Sequence, residues 1–258
     1  MSEALTREDA QYEAERGLAA GLVGMTPLLV AYEVAQRSGL SWRNSSERLA
    51  TNALEPLGAW SETARLVLVL VVGALAAVAC QREGLPLVPL VGRQLLRGGL
   101  WAMILGPVLA LCLVLLDHQV AVQTSGGALA GIELLGVVSG AAWEELVFRV
   151  GAYGVLFLLF RRLALFAGTT EGGARWVAEG VGLVGSAALF AAFHLELFSG
   201  WLGRGGEEFR AAAFTFRFAA GILLGLLFRW RGPGVSAWSH GLFNLSLALG
   251  VSPGVLVG

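Results

Sequence analysis

Two adjacent acids and a base, Glu144, Glu145 and Arg149, stand inside a stretch otherwise fit for lipid, with mostly apolar residues from Ala128 to Gly140 and from Val150 to Phe160. An ionised group at the centre of a membrane helix costs roughly 2.5 to 3.5 kcal/mol on insertion scales, so such residues call for a function or a partner. On a helix Glu145 and Arg149 are four apart with the acid first, the favourable order for an ion pair. Glu144 lies about 100° round the same helix and faces a different neighbour. Glu145 and Arg149 then neutralise each other and Glu144 is left for chemistry. On these residues alone a second reading stays open, in which all three form one buried ionic cluster that holds helices together.

The chain has three histidines, and His194 and His240 fall inside apolar stretches, where an imidazole needs a polar partner or a task. His194 closes Phe190-Ala191-Ala192-Phe193-His194. His240 opens His240-Gly241-Leu242-Phe243-Asn244, which puts Asn244 on the same helical face. A lone histidine in a span more often bonds a neighbouring helix than reacts. Two of them, with a carboxamide and an unpaired acid on three separate spans, are the residue types of acid–base catalysis or of a proton pathway.

Other polar features read as structure. His118, beside Asp117 at the end of the third apolar stretch, is assigned to the membrane interface. Glu33, Glu133, Glu196 and Arg217 are charges in or near spans whose partners the sequence does not name. Glu207-Glu208 has no Arg at the spacing that follows Glu144-Glu145 and reads as a solvated loop. Asn44-Ser45-Ser46 matches a glycosylation sequon, a pattern short enough to arise by chance. Cys80 and Cys112 lack C-x-x-C spacing and read as packing residues.

Helices must carry these groups. A chain of 258 residues with 56% apolar and 14% charged side chains and a mean hydropathy of +0.69 is not a soluble domain but a polytopic membrane protein. A hydrocarbon core of roughly 30 Å takes about 20 helical residues. The expected fold is therefore all-α, a transmembrane bundle of about seven spans, give or take one. They run from Leu18 to Ala35, Ala64 to Cys80, Gly98 to Leu116 with a kink at Pro107, Ala128 to Phe160, Val177 to Phe198, Ala211 to Arg229, and Val235 to Val257. The fourth is too long for one straight crossing, so a break is expected near Ser139-Gly140. His194 then sits near the outer end of its span and His240 near the inner end of its own, a mismatch of depth that a tilt or the break must close.

The distribution of Arg among the loops favours an inside N-terminus. Met1 to Arg16 lacks the basic start and apolar centre of a secretory signal. The chain divides into a polar tail (1–16), an N-terminal transmembrane region of unassigned role (17–127) and a C-terminal transmembrane core (128–258) that carries the candidate site residues. A net charge of -1 gives no sign of nucleic acid as a partner.

In order along the chain, Glu144-Glu145-x-x-x-Arg149, Phe190-x-x-x-His194 and His240-x-x-x-Asn244 resemble the three motifs of the CAAX protease and bacteriocin-processing family, also called Abi, whose members are intramembrane endopeptidases. The likeness covers Ala128 to Leu249. It implies peptide hydrolysis in a polar cavity within the bilayer, with Glu144 and His194 holding and deprotonating the attacking water. His240 and Asn244 would donate to the developing oxyanion, with Glu145 and Arg149 as structural support. The chemistry agrees, since amide hydrolysis needs a base that titrates near neutrality, burial moves a carboxyl group that way, and pre-placed donors stabilise a tetrahedral intermediate.

No cofactor is expected, with zinc as the alternative, because Glu144, His194 and His240 could also be three ligands beside an open position. Against zinc, the spacing is not His-Glu-x-x-His, no cysteine is placed to help, and a carboxamide suits an oxyanion better than the metal. The implied setting is the bacterial inner membrane, with a membrane-associated peptide or protein as substrate and the bilayer as the other partner. Bacteria largely lack prenylated proteins, so the substrate would be a bacteriocin leader, an anchor remnant or a sorting tail, the last as in relatives of the myxosortase type. Two rival readings remain: a transporter or proton relay built on the same buried charges, and a catalytically idle scaffold.

Overall fold

The computed structural model describes residues 7–115, 131–200 and 207–249. Lipid offers no partner to a backbone N–H or C=O, so an apolar run has to satisfy its own backbone, and here each run does so as a helix. Helix α1 (Arg7–Arg16) leads into α2 (Leu18–Arg37), and α3 (Ser45–Leu54) passes through a 3₁₀ turn into α4 (Ser61–Arg82), followed by α5 (Leu87–Leu115). Next, α6 (Gly131–Glu145), a π-helical segment (Leu146–Tyr153) and α7 (Gly154–Phe166) follow one another without a loop. Then come α8 (Glu171–Ala192), the single turn α9 (Glu196–Ser199), α10 (Ala211–Arg231) and α11 (Pro233–Ala248). The protein is an all-α bundle, as composition implied.

The segments Leu18–Arg37, Ser45–Arg82 and Ala211–Arg231 are long and apolar enough to cross a membrane. Side-chain placement points the same way. Helix α4 turns Val67, Leu68, Leu70, Val71 and Leu75 outward, yet Arg65 on that helix is only 1% exposed. Hydrocarbon outside and ionised groups inside is what an apolar solvent selects.

Arg65 is the centre of an ion cluster whose partners the sequence left unnamed. Its Nε lies 2.7 Å from Glu33 Oε1 and its Nη2 3.0 Å from Glu33 Oε2, a two-point grip across α2 and α4. Its Nη1 meets Glu47 and Thr51 of α3. At the rim, Arg37 bonds Glu33 at 2.9 Å and Arg43 pairs with Glu62. Three carboxylates and three guanidinium groups thus tie α3 to α2 and α4.

Helix α11 packs against α5, α6 and α2, while α8 packs against α7 and α10. Met25, Leu28 and Tyr32 of α2, Val69 of α4, Ala142 and Trp143 of α6, and Ala237 of α11 share one core cluster, so the first helices and the last are built around the same interior. The polar start of the chain is docked as well. Glu15 of α1 bonds Arg93 at 2.8 Å and Arg97 at 2.9 Å on α5.

Helix α11 approaches α6 so closely that a Cβ on Gly241 would overlap the Val138 carbonyl oxygen. Small residues at such crossings are what let membrane helices touch backbone to backbone. Gly241→Ala should therefore force the helices apart beside His240, at a cost of about 1 to 3 kcal/mol. Thermal unfolding in detergent checks this, and an unchanged melting temperature would contradict so tight a crossing.

Three expectations need correction. No break occurs near Ser139-Gly140. Helix α6 runs through both residues, because Ser139 Oγ donates to the Leu135 carbonyl at 2.5 Å on its own helix and Gly140 serves close packing. The irregularity comes later, in the π-helical segment that carries Arg149. The fifth span starts earlier than read and ends at Ala192, so His194 lies in the turn beyond α8. The last helix starts at Pro233, which places His240 at mid-length. With these shifts both imidazoles meet the ring of Phe190, at centroid distances of 5.2 and 5.8 Å. Asp117, His118 and the end of the last span beyond Leu249 lie outside the described residues.

Candidate active site

Glu144 and Glu145 are the final residues of α6, His194 follows the C-terminus of α8, and His240 and Asn244 share one face of α11. Glu144, His194 and Asn244 line a single cavity of about 160 Å³, with Trp42, Asn44 and Phe148 also in its wall. That space holds several waters beside polar partners.

The two adjacent acids converge on one imidazole. His240 Nδ1 lies 3.0 Å from Glu145 Oε1, and His240 Nε2 lies 3.5 Å from Glu144 Oε2. Both ring nitrogens face carboxylate oxygens. Glu145 is 1% exposed and accepts a second hydrogen bond, 2.7 Å from Ser236 Oγ. Arg149, fully buried, brings Nε to 3.7 Å from Glu145. Among the described residues its guanidinium nitrogens find no hydrogen-bond acceptor. Instead its Cζ lies 5.1 Å from the centroid of the Phe190 ring, so the cation is held by charge and by the aromatic face.

Phe190 also touches both histidines. Its ring centroid is 5.2 Å from that of His194 and 5.8 Å from that of His240, edge to face in both cases. One turn along, the Phe190 carbonyl lies 2.9 Å from His194 Nδ1. A carbonyl only accepts, so Nδ1 carries the proton, and in the neutral ring Nε2 keeps a lone pair. Just past His194 the chain pairs with Glu207. Glu207 N–H donates to the His194 carbonyl and Glu196 N–H to the Glu207 carbonyl, each at 3.0 Å. The Glu207 side chain bonds Arg217 at 2.7 Å. Glu207 and Glu208 are exposed and outside any helix, as a solvated loop would be, and Glu207 also braces the His194 turn.

The residues singled out by spacing gather here, with one difference. Glu145 serves His240 as well as Arg149, so it is more than half of a neutral pair. Ser236 escaped notice, although its position four residues before His240 put it on the same face. Asn44 escaped too. Its side chain donates from Nδ2 to Glu144 Oε1 at 2.7 Å, and the residue is 6% exposed, so the sequon is a chance match.

His194 gives Nδ1 to a carbonyl and His240 gives Nδ1 to Glu145, which leaves each Nε2 for water, substrate or a metal. Among the described residues, no three His, Cys, Asp or Glu side chains are grouped as metal ligands.

Residues 126–246 match the family model described as Type II CAAX prenyl endopeptidase Rce1-like. The match bears out the resemblance read from the three motifs and supports an intramembrane endopeptidase. No curated protein and no solved structure matches the chain.

Proposed function

From a C-terminal region that is Rce1-like in the CAAX endopeptidase sense, we propose that this protein hydrolyses a peptide bond within the bilayer, using water activated by Glu144 and His194. The observation that carries the reading is the shared cavity of Glu144, His194 and Asn244, with His240 directly behind Glu144. Water held between Glu144 Oε2 and His194 Nε2 loses a proton to the carboxylate as its oxygen bonds the scissile carbonyl carbon. The carbonyl π electrons move onto oxygen, where Asn244 Nδ2 and His240 Nε2–H donate to the oxyanion. As the intermediate collapses, the C–N bond breaks and the departing amine takes the proton from Glu144. The products are a carboxylic acid and an amine, which become a carboxylate and an ammonium group once the acid's proton passes to the amine.

Glu145 and Ser236 act one step back. Glu145 fixes the His240 ring through Nδ1, Ser236 fixes Glu145, and Arg149 balances the charge. No step needs a metal. The setting is a multi-pass protein of the bacterial inner membrane, and the substrate is a membrane-associated peptide or tail, a sorting tail of the myxosortase kind included.

Mass spectrometry of membrane-proteome termini tests this. Cells carrying the protein should show new termini that are absent from cells carrying His194→Ala or His240→Ala at equal abundance. Incubation of isolated membranes with a strong chelator should leave the yield unchanged. Termini that survive both substitutions would remove the hydrolytic roles, and loss on chelation with recovery on added zinc would replace the metal-free mechanism.

A further inference from the structure

We infer that Asn44, in the N-terminal region outside the family match, is a positioning residue that holds the Glu144 carboxylate for catalysis. The inference rests on the reading of Glu144 as the base and gives the first helices a part in the reaction. Every polar atom of the carboxamide is committed. Asn44 Oδ1 accepts from Ser46 N–H at 2.8 Å and caps α3. Because that partner is a donor, Oδ1 must face it, and Nδ2 is thereby turned toward Glu144 Oε1, 2.7 Å away, with a weaker contact at 3.4 Å to the Gly140 carbonyl.

The residue itself is held from both sides. Asn44 N–H donates to Tyr32 Oη at 2.6 Å, and Tyr32 is fully buried. Helix α3, which Asn44 caps, is pinned through Glu47 to Arg65. Gly140 leaves the room, since a Cβ there would stand 3.3 Å from Asn44 Nδ2 and 3.4 Å from the Tyr32 ring. With Oε1 anchored, Oε2 is the oxygen left to face His240 and the water. Asn44 therefore fixes which lone pair takes the proton.

Three variants test this in isolated membranes, read as the yield of termini that depend on Glu144. Asn44→Ser keeps a good helix cap but withdraws the donor from Glu144. It should lower the yield about ten- to hundredfold, the worth of one hydrogen bond to a charged group, at unchanged abundance. Asn44→Asp keeps size and cap but sets an acceptor against the carboxylate. It can donate only while the two carboxyls share a proton, so its pH profile should gain a descending alkaline limb absent from the parent. Wild-type yield in Asn44→Ser, or no new limb in Asn44→Asp, overturns the positioning role.

The third arm needs no turnover. In thermal unfolding, Asn44→Ser and Glu144→Ala should be non-additive, as groups in contact are, and strict additivity would overturn the contact. Termini that persist in Glu144→Gln would instead defeat the hydrolytic reading while this coupling stood, so the two failures are distinguishable.

Discussion

Glu144→Gln should abolish turnover and leave the protein folded. The amide has the shape of the acid, and its carbonyl can still accept from Asn44 Nδ2, where Glu144 Oε1 now lies at 2.7 Å. The side chain is 16% exposed at the cavity, and losing its charge does not strand Arg149, which Glu145 balances. What disappears is the atom that takes a proton from water. General base catalysis is worth about a hundred- to ten-thousandfold, and the yield of new termini should fall by that factor. Melting in detergent should move little. A variant that retains activity within a few-fold would show that the proton goes elsewhere.

The second large effect lies outside the cavity. Arg65→Met should strand Glu33 and Glu47, both fully buried, with their shared cation gone. Breaking a buried pair from one side costs about 3 to 5 kcal/mol, and the contacts left to the acids, Arg37 to Glu33 at 2.9 Å and Arg43 to Glu47 at 3.9 Å, come from partly exposed cations at the rim. Replacing Glu33, Glu47 and Arg65 together by apolar residues of similar volume should recover most of that loss, as networks removed whole often do. Equilibrium unfolding in detergent gives both numbers. A single variant as stable as the parent would show that the rim arginines, Arg37 and Arg43, carry the two acids without Arg65.

The candidate site residues were legible because Glu144, His240 and Asn244 lie on helices whose period relates them to neighbours, and His194 follows the end of one. Glu145 with Arg149 and His240 with Asn244 are one turn apart, and charge in an apolar stretch marks itself. Ser236 obeyed the same spacing and could have been read. Asn44 could not, since it meets Glu144 across the bundle from a loop, and no periodicity links the two positions. The break was misplaced for a chemical reason. Ser139 and Gly140 break helices in water, but among packed membrane helices the hydroxyl bonds its own backbone and the bare glycine makes room for Asn44. The end of α8 was hidden by Phe193, Leu195, Leu197 and Phe198, which keep hydropathy high after the helix has stopped.

Phe190 touches both His194 and His240, with Arg149 over its face, and a phenyl ring neither gives nor receives a proton. No Grotthuss path can run through that ring from one imidazole to the other. A proton exchanged between the two rings goes instead by way of the Glu144 carboxylate, 3.5 Å from His240 Nε2, and the cavity that Glu144 shares with His194.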